Sequence, residues 1–211
     1  MNREAECEVD LLGSVILRPA RPGDAGRMAS VYAPYVQGTT VSWETRVPGR
    51  VEMARRLDQH LAAGFPWLAA ELDGALLGYA YAGRLAERDG YAWDAEVSIY
   101  LAADAHRHRV GKALYAALLA LLAQQGYCNC YALITHPNPG SAAFHQAMGF
   151  REIARLPGAG YKLGQWVGLS YFFVPLRPLP AQPLPPVPFS ALDPQLVQDY
   201  LARAGAMIRP F

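Results

Sequence analysis

Asp104-Ala-His-Arg-His-Arg-Val-Gly-Lys-Ala-Leu-Tyr115 joins a strand-like run at 97–102 to a long apolar helix-like run at 113–123. The reading of that junction decides the fold, because a strand feeding a helix through a short turn presents the unpaired N–H groups of the helix start to a ligand. Arg107, Arg109 and Lys112 surround Gly111 and the small Ala113, so positive charge coincides with a backbone that a ligand can approach. The chemistry suggested is phosphate binding.

Downstream, the helix ends at Gly126, a residue suited to the left-handed position after a helix. A strand at 128–135, a turn from His136 to Gly140 and a short helix at 141–148 closed by Gly149 follow. Strands are expected at 150–156 and 169–176, with 158–167 looping between them. Upstream, the clearest hairpin signal is 65–72 and 76–83 around Asp73-Gly74, a pair that tolerates the positive φ of a tight turn. It leads through a polar interruption at 84–90 into a long strand at 91–102.

Nearer the start, residues 1–13 read as a loose polar lead and 14–19 as a short strand. Asp24 is placed to cap a helix over 25–36, which Pro34 should bend or break near Ala33. An extended loop at 38–46 carries Trp43 and Glu44, and a second helix spans 50–63. Residues 177–188 are dense in proline and can only be extended. Asp193-Pro194 opens a last short helix, with Leu196, Val197, Tyr200 and Leu201 on an apolar face that must dock on the domain or on a second subunit.

With 211 residues, 52% of them hydrophobic, the chain suffices for one domain with an appendage. Nineteen basic against 18 acidic residues leave a formal charge of +1, so no global field favours nucleic acid or an anionic membrane, and any cationic site is local. Cys7, Cys128 and Cys130 match neither a disulfide framework nor Cys-x-x-Cys spacing, and no metal is expected. Reduced thiols, a charged start and no run of 18 apolar residues predict a cytoplasmic protein.

The order of strand, basic glycine turn, long helix, strand and Asn-containing turn resembles the GNAT superfamily of acetyl-CoA-dependent N-acetyltransferases. Their pyrophosphate loop reads Gln/Arg-x-x-Gly-x-Gly/Ala; here it is His108-Arg109-Val110-Gly111-Lys112-Ala113, with His108 in the leading place. Residues 15–176 look more specifically like the phosphinothricin and methionine sulfoximine acetyltransferase branch. The pieces are Pro66-Trp-Leu-Ala-Ala-Glu71, Gly78-Tyr-Ala-Tyr-Ala-Gly83, Arg88 with Tyr91, Trp93 and Glu96, the spacing of Asn138, Ser141, His145, Gly149 and Phe150, and Gly160-Tyr-Lys-Leu-Gly-Gln-Trp166. Gly168 stands where the branch usually has Asp.

The resemblance implies an α/β fold of α+β type: a mixed, mostly antiparallel sheet flanked by helices over 14–176, followed by a Pro-rich strap and short helix at 177–211. It implies acetyl-CoA as cosubstrate, a small-molecule amine acceptor and a homodimer. Glu96 becomes the general base, since a carboxylate among apolar neighbours can take an ammonium proton directly or through water. The backbone of Ser98, Ile99 and Tyr100 would pair with the pantetheine arm, and Asn138 would contact it, unless Asn138 is only a turn residue. His145 is either a general acid for the leaving thiolate or a coenzyme A contact. Trp43, Glu44, Arg88, Tyr91, Trp93 and Lys162 are candidates for the acceptor, with Arg88 able to hold a carboxylate in bidentate fashion; the aromatics taken singly read first as core or interface residues. A covalent cysteine route is disfavoured, as no His shares a motif with Cys128 or Cys130. Two other readings stay open: a GNAT acting on a protein N-terminus or a drug, and a silent acyl-CoA sensor.

Overall fold

The hairpin signal is realised at Asp73 and Gly74, whose φ angles of 48° and 82° turn strand β2 (Trp67–Leu72) into β3 (Ala75–Arg84). The computed structural model describes residues 14–211, so the expectation for 1–13, Cys7 included, lies outside the described residues. To this hairpin are added β1 (Ile16–Pro19), β4 (Asp94–Leu101), β5 (Asn129–His136), β6 (Arg151–Lys162) and β7 (Gln165–Pro175), in the order β1-β2-β3-β4-β5-β7-β6. All neighbours are antiparallel except β4 and β5.

Alternation along β2 and β3 sorts side chains onto two faces. Trp67, Ala69 and Tyr79 meet Met28, Tyr32 and Val36 of α1 (Ala25–Gly38) and Met53 and Leu57 of α2 (Arg50–Ala62). Leu68, Ala70, Ala80 and Ala82 meet α3 (Val110–Gln125) on the other face. Leu114, Leu118, Leu121 and Leu122 of α3 are fully buried, each stabilising the fold by roughly 1.5–3 kcal/mol. Because α3 is apolar nearly all round, the sheet alone cannot cover it. The remaining side is covered by α5 (Pro194–Gly205), which buries Val197, Leu201 and Ala204. The last helix therefore docks within its own chain. Its Asp193 cap accepts from the Gln195 N–H at 2.9 Å.

Three local expectations are corrected. The helix α1 runs through Pro34, which lies on the exposed side, so the carbonyl it leaves without a partner can be met by water. Asp24 does not cap α1; its carboxylate accepts from the Arg18 guanidinium at 2.7 and 2.8 Å and from the Arg21 N–H at 2.8 Å. Burial opposes the charge, but these donors outweigh it and hold the Asp24 pKa at about 2. Residues 158–167 do not loop: β6 and β7 form a long ribbon whose turn lies at Leu163 and Gly164, with φ of 51° and 79°.

Candidate active site

The parallel ladder between β4 and β5 covers only Asp94, Ala95 and Glu96 against Asn129, Cys130 and Tyr131. Beyond Glu96 the strands diverge, and backbone groups of β4 on that side lose their sheet partner. The resulting cleft is lined by Val97, Ser98, Ile99, Tyr100 and by Ala132 to Thr135 on the other wall, with Tyr115, Asn138, Ser141 and His145 at its end. Thr135 keeps a buried hydroxyl with no partner in it. An unpaired strand edge plus an orphaned hydroxyl suit an extended amide-bearing ligand such as a pantetheine arm.

At the start of α3, Arg109 occupies the capping position with φ of 65° and supplies no side-chain cap. The first helical bond runs from the Ala113 N–H to the Arg109 carbonyl. The amides of Val110, Gly111 and Lys112 are therefore without intrahelical acceptors, while Arg107, Arg109 and Lys112 project to solvent. Free amides at a helix start beside three basic side chains suit an anion. Gly111 also serves packing: a Cβ there would meet Leu101 at 3.1 Å and Ile99 and Phe144 at 3.5 Å, so glycine permits a close fit of the helix start.

Glu96 lies where the strands part. It is half-buried, burial pushes its carboxyl pKa up, and it lines a cavity of about 370 Å³ with His60, Tyr81, Gly83, Arg84, Glu87 and Ser98. Gly83 is the strand partner of Glu96, and a Cβ on Gly83 would lie 3.3 Å from His60 Nε2. His60 thus occupies the space beside Glu96 that a side chain at position 83 would take. Its Nδ1 donates to the Arg56 carbonyl at 2.8 Å, which leaves Nε2 as the ring's acceptor in the neutral form. The sequence reading missed His60 and Arg84; the only local trace of His60 was a polar residue on α2 one turn beyond Arg56.

The other candidates divide. Asn138 caps α4 (Pro139–Ala147), its Oδ1 accepting from the Ser141 N–H at 3.1 Å, so the turn role is present at the same residue that lines the cleft. His145 is buried; Nδ1 donates to the Ser141 carbonyl at 2.8 Å and Nε2 accepts from the Tyr115 hydroxyl at 3.1 Å. Burial lowers its pKa against the Ser141 contact, which raises it, so the ring is held neutral. Both nitrogens are occupied, which is the geometry of a positioning group. Burial also pushes the Cys130 thiol well up, against a nucleophilic role.

Of the acceptor candidates, Arg88 and Tyr91 line a cavity that shares Ala63, Phe65 and Arg84 with the one around Glu96. Trp93 is set apart: its indole N–H donates to the Leu184 carbonyl of the strap at 2.8 Å. Lys162 is buried and donates to the Ser42 carbonyl at 2.6 Å, fastening the β6–β7 ribbon to the α1–α2 loop rather than facing the cavity; burial lowers its pKa. Glu44 accepts from Arg56 at 2.6 and 3.0 Å and from Tyr32 at 3.0 Å, and these donors overcome burial to keep its carboxyl ionised. Trp43 lies against Gly160, where a Cβ would be inside van der Waals contact with its ring. At Gly168 a Cβ would come within 3.1 Å of the Leu156 carbonyl and 3.3 Å of that of His136, so this backbone does not admit the branch's usual Asp without a shift.

A family model described as "Acetyltransferase (GNAT) domain" matches residues 17–168, the span that holds the cleft, the α3 turn and Glu96. The chain belongs to the GNAT acetyltransferase family. This GNAT chain is 33% identical to a phosphinothricin N-acetyltransferase of Streptomyces viridochromogenes over 177 residues, 81% of the chain and 94% of the relative. It is 29% identical to an L-methionine sulfoximine/L-methionine sulfone acetyltransferase of Pseudomonas aeruginosa, covering 81% and 99%. A crystal structure of a GNAT superfamily phosphinothricin acetyltransferase from Sinorhizobium meliloti in complex with acetyl-CoA superposes with a TM-score of 0.77, 28% identity, and coverage of 83% of this chain and 98% of that one. The GNAT chain is an N-acetyltransferase that uses acetyl-CoA. Among the described residues, no helix is long and apolar enough to cross a membrane.

Proposed function

We propose that this acetyltransferase acylates the α-amine of a small amino-acid-like acceptor, of the phosphinothricin or methionine sulfoximine type, by direct attack in a ternary complex. The observation that carries the reading is Glu96, a carboxyl of raised pKa at the point where β4 leaves β5, between the cleft and the cavity holding His60 and Arg84. A base of raised pKa is matched to removing an ammonium proton near neutrality. Glu96 takes that proton, His60 Nε2 accepts a hydrogen bond from the amine, and Arg84 with Arg88 holds the acceptor's carboxylate. Unpaired β4 amides between Val97 and Tyr100 polarise the thioester oxygen as the amine attacks. The Tyr115–His145 pair stands at the wall where the thiolate departs. The amides at the start of α3, with Arg107, Arg109 and Lys112, hold the pyrophosphate.

The same reading places the catalytic unit at 14–176 with 177–211 as its accessory, a homodimer joined through the β6–β7 ribbon, and a cytoplasmic setting. The ribbon supports the dimer because Ile153, Leu156, Tyr161, Leu163 and Trp166 are exposed on or beside the sheet's edge. The two thiols of the described residues are both free, which suits a reducing compartment. Release of coenzyme A is to be followed with phosphinothricin, methionine sulfoximine, free amino acids, an N-terminal peptide and an aminoglycoside, with Glu96→Gln alongside. Turnover confined to the amino-acid-like compounds and lost in Glu96→Gln supports the reading. Turnover with the peptide or the aminoglycoside alone, or none at all while coenzyme A binds, overturns it.

A further inference from the structure

The segment that follows α5 returns to the turn before α3. The Arg209 N–H donates to the His108 carbonyl at 2.9 Å, His108 Nδ1 donates to the Pro210 carbonyl at 2.7 Å, and the Phe211 ring stacks on the His108 imidazole with centroids 4.0 Å apart and planes 8° from parallel. His108 is thereby held by backbone, by side-chain nitrogen and by ring face. On either side of it, Arg107 and Arg109 adopt φ of 71° and 65°, a left-handed conformation that costs a non-glycine residue energy and persists only where the surroundings enforce it. The flanking Ala105 and Val110 are buried, but Arg107 and Arg109 are themselves exposed, and the Arg109 side chain makes no capping bond.

The clamp is itself anchored. Burial of Val197, Leu201 and Ala204 fixes α5 along α3, the Gln124 Nε2 donates to the Tyr200 hydroxyl at 3.0 Å, and the Ile208 N–H closes onto the Gly205 carbonyl at 3.0 Å. Residues 209–211 therefore reach His108 from a rigid base on the same helix whose start receives the anion.

We propose that Arg209, Pro210 and Phe211 are positioning residues that hold the α3 turn in its anion-receiving shape through His108, so that the segment sets the affinity for coenzyme A. The proposal rests on acetyl-CoA use at this turn. Without the clamp, the turn relaxes and must be reordered each time the pyrophosphate binds, a cost that appears in affinity alone. The clamp touches neither Glu96 nor its cavity.

The test is titration calorimetry with coenzyme A on the full chain, beside Phe211→Ala, Phe211→Trp and a chain lacking residues 209–211. Phe211→Ala and the deletion are expected to bind coenzyme A about tenfold more weakly. The KM for acetyl-CoA should rise in step, while kcat and the acceptor KM stay unchanged, and Phe211→Trp should restore binding. His108→Ala combined with the deletion should lose no more than the deletion alone, since both break the same clamp. Unchanged or tighter binding in Phe211→Ala, with wild-type binding intact, overturns the proposal alone. A wild-type chain that bound no coenzyme A would overturn the cofactor assignment beneath it as well.

Discussion

His60 Nε2 stands over Gly83, the strand partner of Glu96, so imidazole and carboxyl share one wall of the same cavity. Burial raises the Glu96 pKa above its ordinary 4.5, which means that the folded chain binds this proton more tightly than the unfolded chain does. Glu96 ionisation therefore costs stability as pH rises from 4.5 through the raised value. Glu96→Gln should melt above the wild type at pH 7, with the difference vanishing near pH 4. The same variant should lose about a hundredfold or more in kcat/KM and flatten the acid limb of its pH profile. Melting curves and kcat/KM across pH 4–9 check both.

The Tyr115 hydroxyl is oriented by His145, and His145 is oriented by Ser141. His145 is buried and its folded pKa lies below the ordinary 6.5, so the unfolded chain takes up this proton first. Its contribution is fully present above pH 6.5 and falls as pH drops from there through the lowered folded value. His145→Ala leaves the Tyr115 hydroxyl and the Ser141 carbonyl without their partner inside the core, at a cost of about 2–4 kcal/mol. Urea denaturation at pH 7 should show that loss, and the gap between variant and wild type should narrow at pH 5. A merely exposed proton donor would leave stability unchanged at both.

How much of this was legible depended on how local each signal was. Asp73-Gly74 and Gly126 announce their turns because positive φ is a property of the residue itself, and both hold it here. The ribbon of β6 and β7 was misread because Pro157-Gly158 and Gly160 punctuate it, and because a strand exposed along most of its length has no apolar alternation to reveal it. Glu96 and the α3 turn were readable as motifs in order. His60 and Arg84 were not, since Gly83 and the fork of β4 from β5 bring them to Glu96 only in the folded sheet.

Arg84 lines both cavities near Glu96, whereas Trp93 is committed to the strap. Arg84→Met should raise the acceptor KM about tenfold or more, with the acetyl-CoA KM unchanged, because a charge-assisted bond to the acceptor's carboxylate is lost. Trp93→Phe should leave the acceptor KM where it is. Its effect should be confined to the strap, read as faster proteolysis within 177–188. A rise in acceptor KM for Trp93→Phe without one for Arg84→Met would reverse the assignment.

Trp43 and Gly160 meet where the α1–α2 loop passes under the β6–β7 ribbon, close to Lys162 and the Ser42 carbonyl it holds. A Cβ at position 160 would overlap the indole ring, and the contact is with a rigid aromatic body that cannot swing aside as a lysine tip would. Gly160→Ala should therefore destabilise the chain by about 1–3 kcal/mol and displace the loop that carries Glu44 and its ion pair with Arg56. Because the Arg56 carbonyl accepts from His60, that displacement should also raise the acceptor KM. Trp43→Ala removes the obstacle, so the double variant Trp43→Ala/Gly160→Ala should be no less stable than Trp43→Ala alone. A double-mutant cycle in urea decides the matter: additive losses would show that Gly160 is required for its own backbone and not for the ring above it.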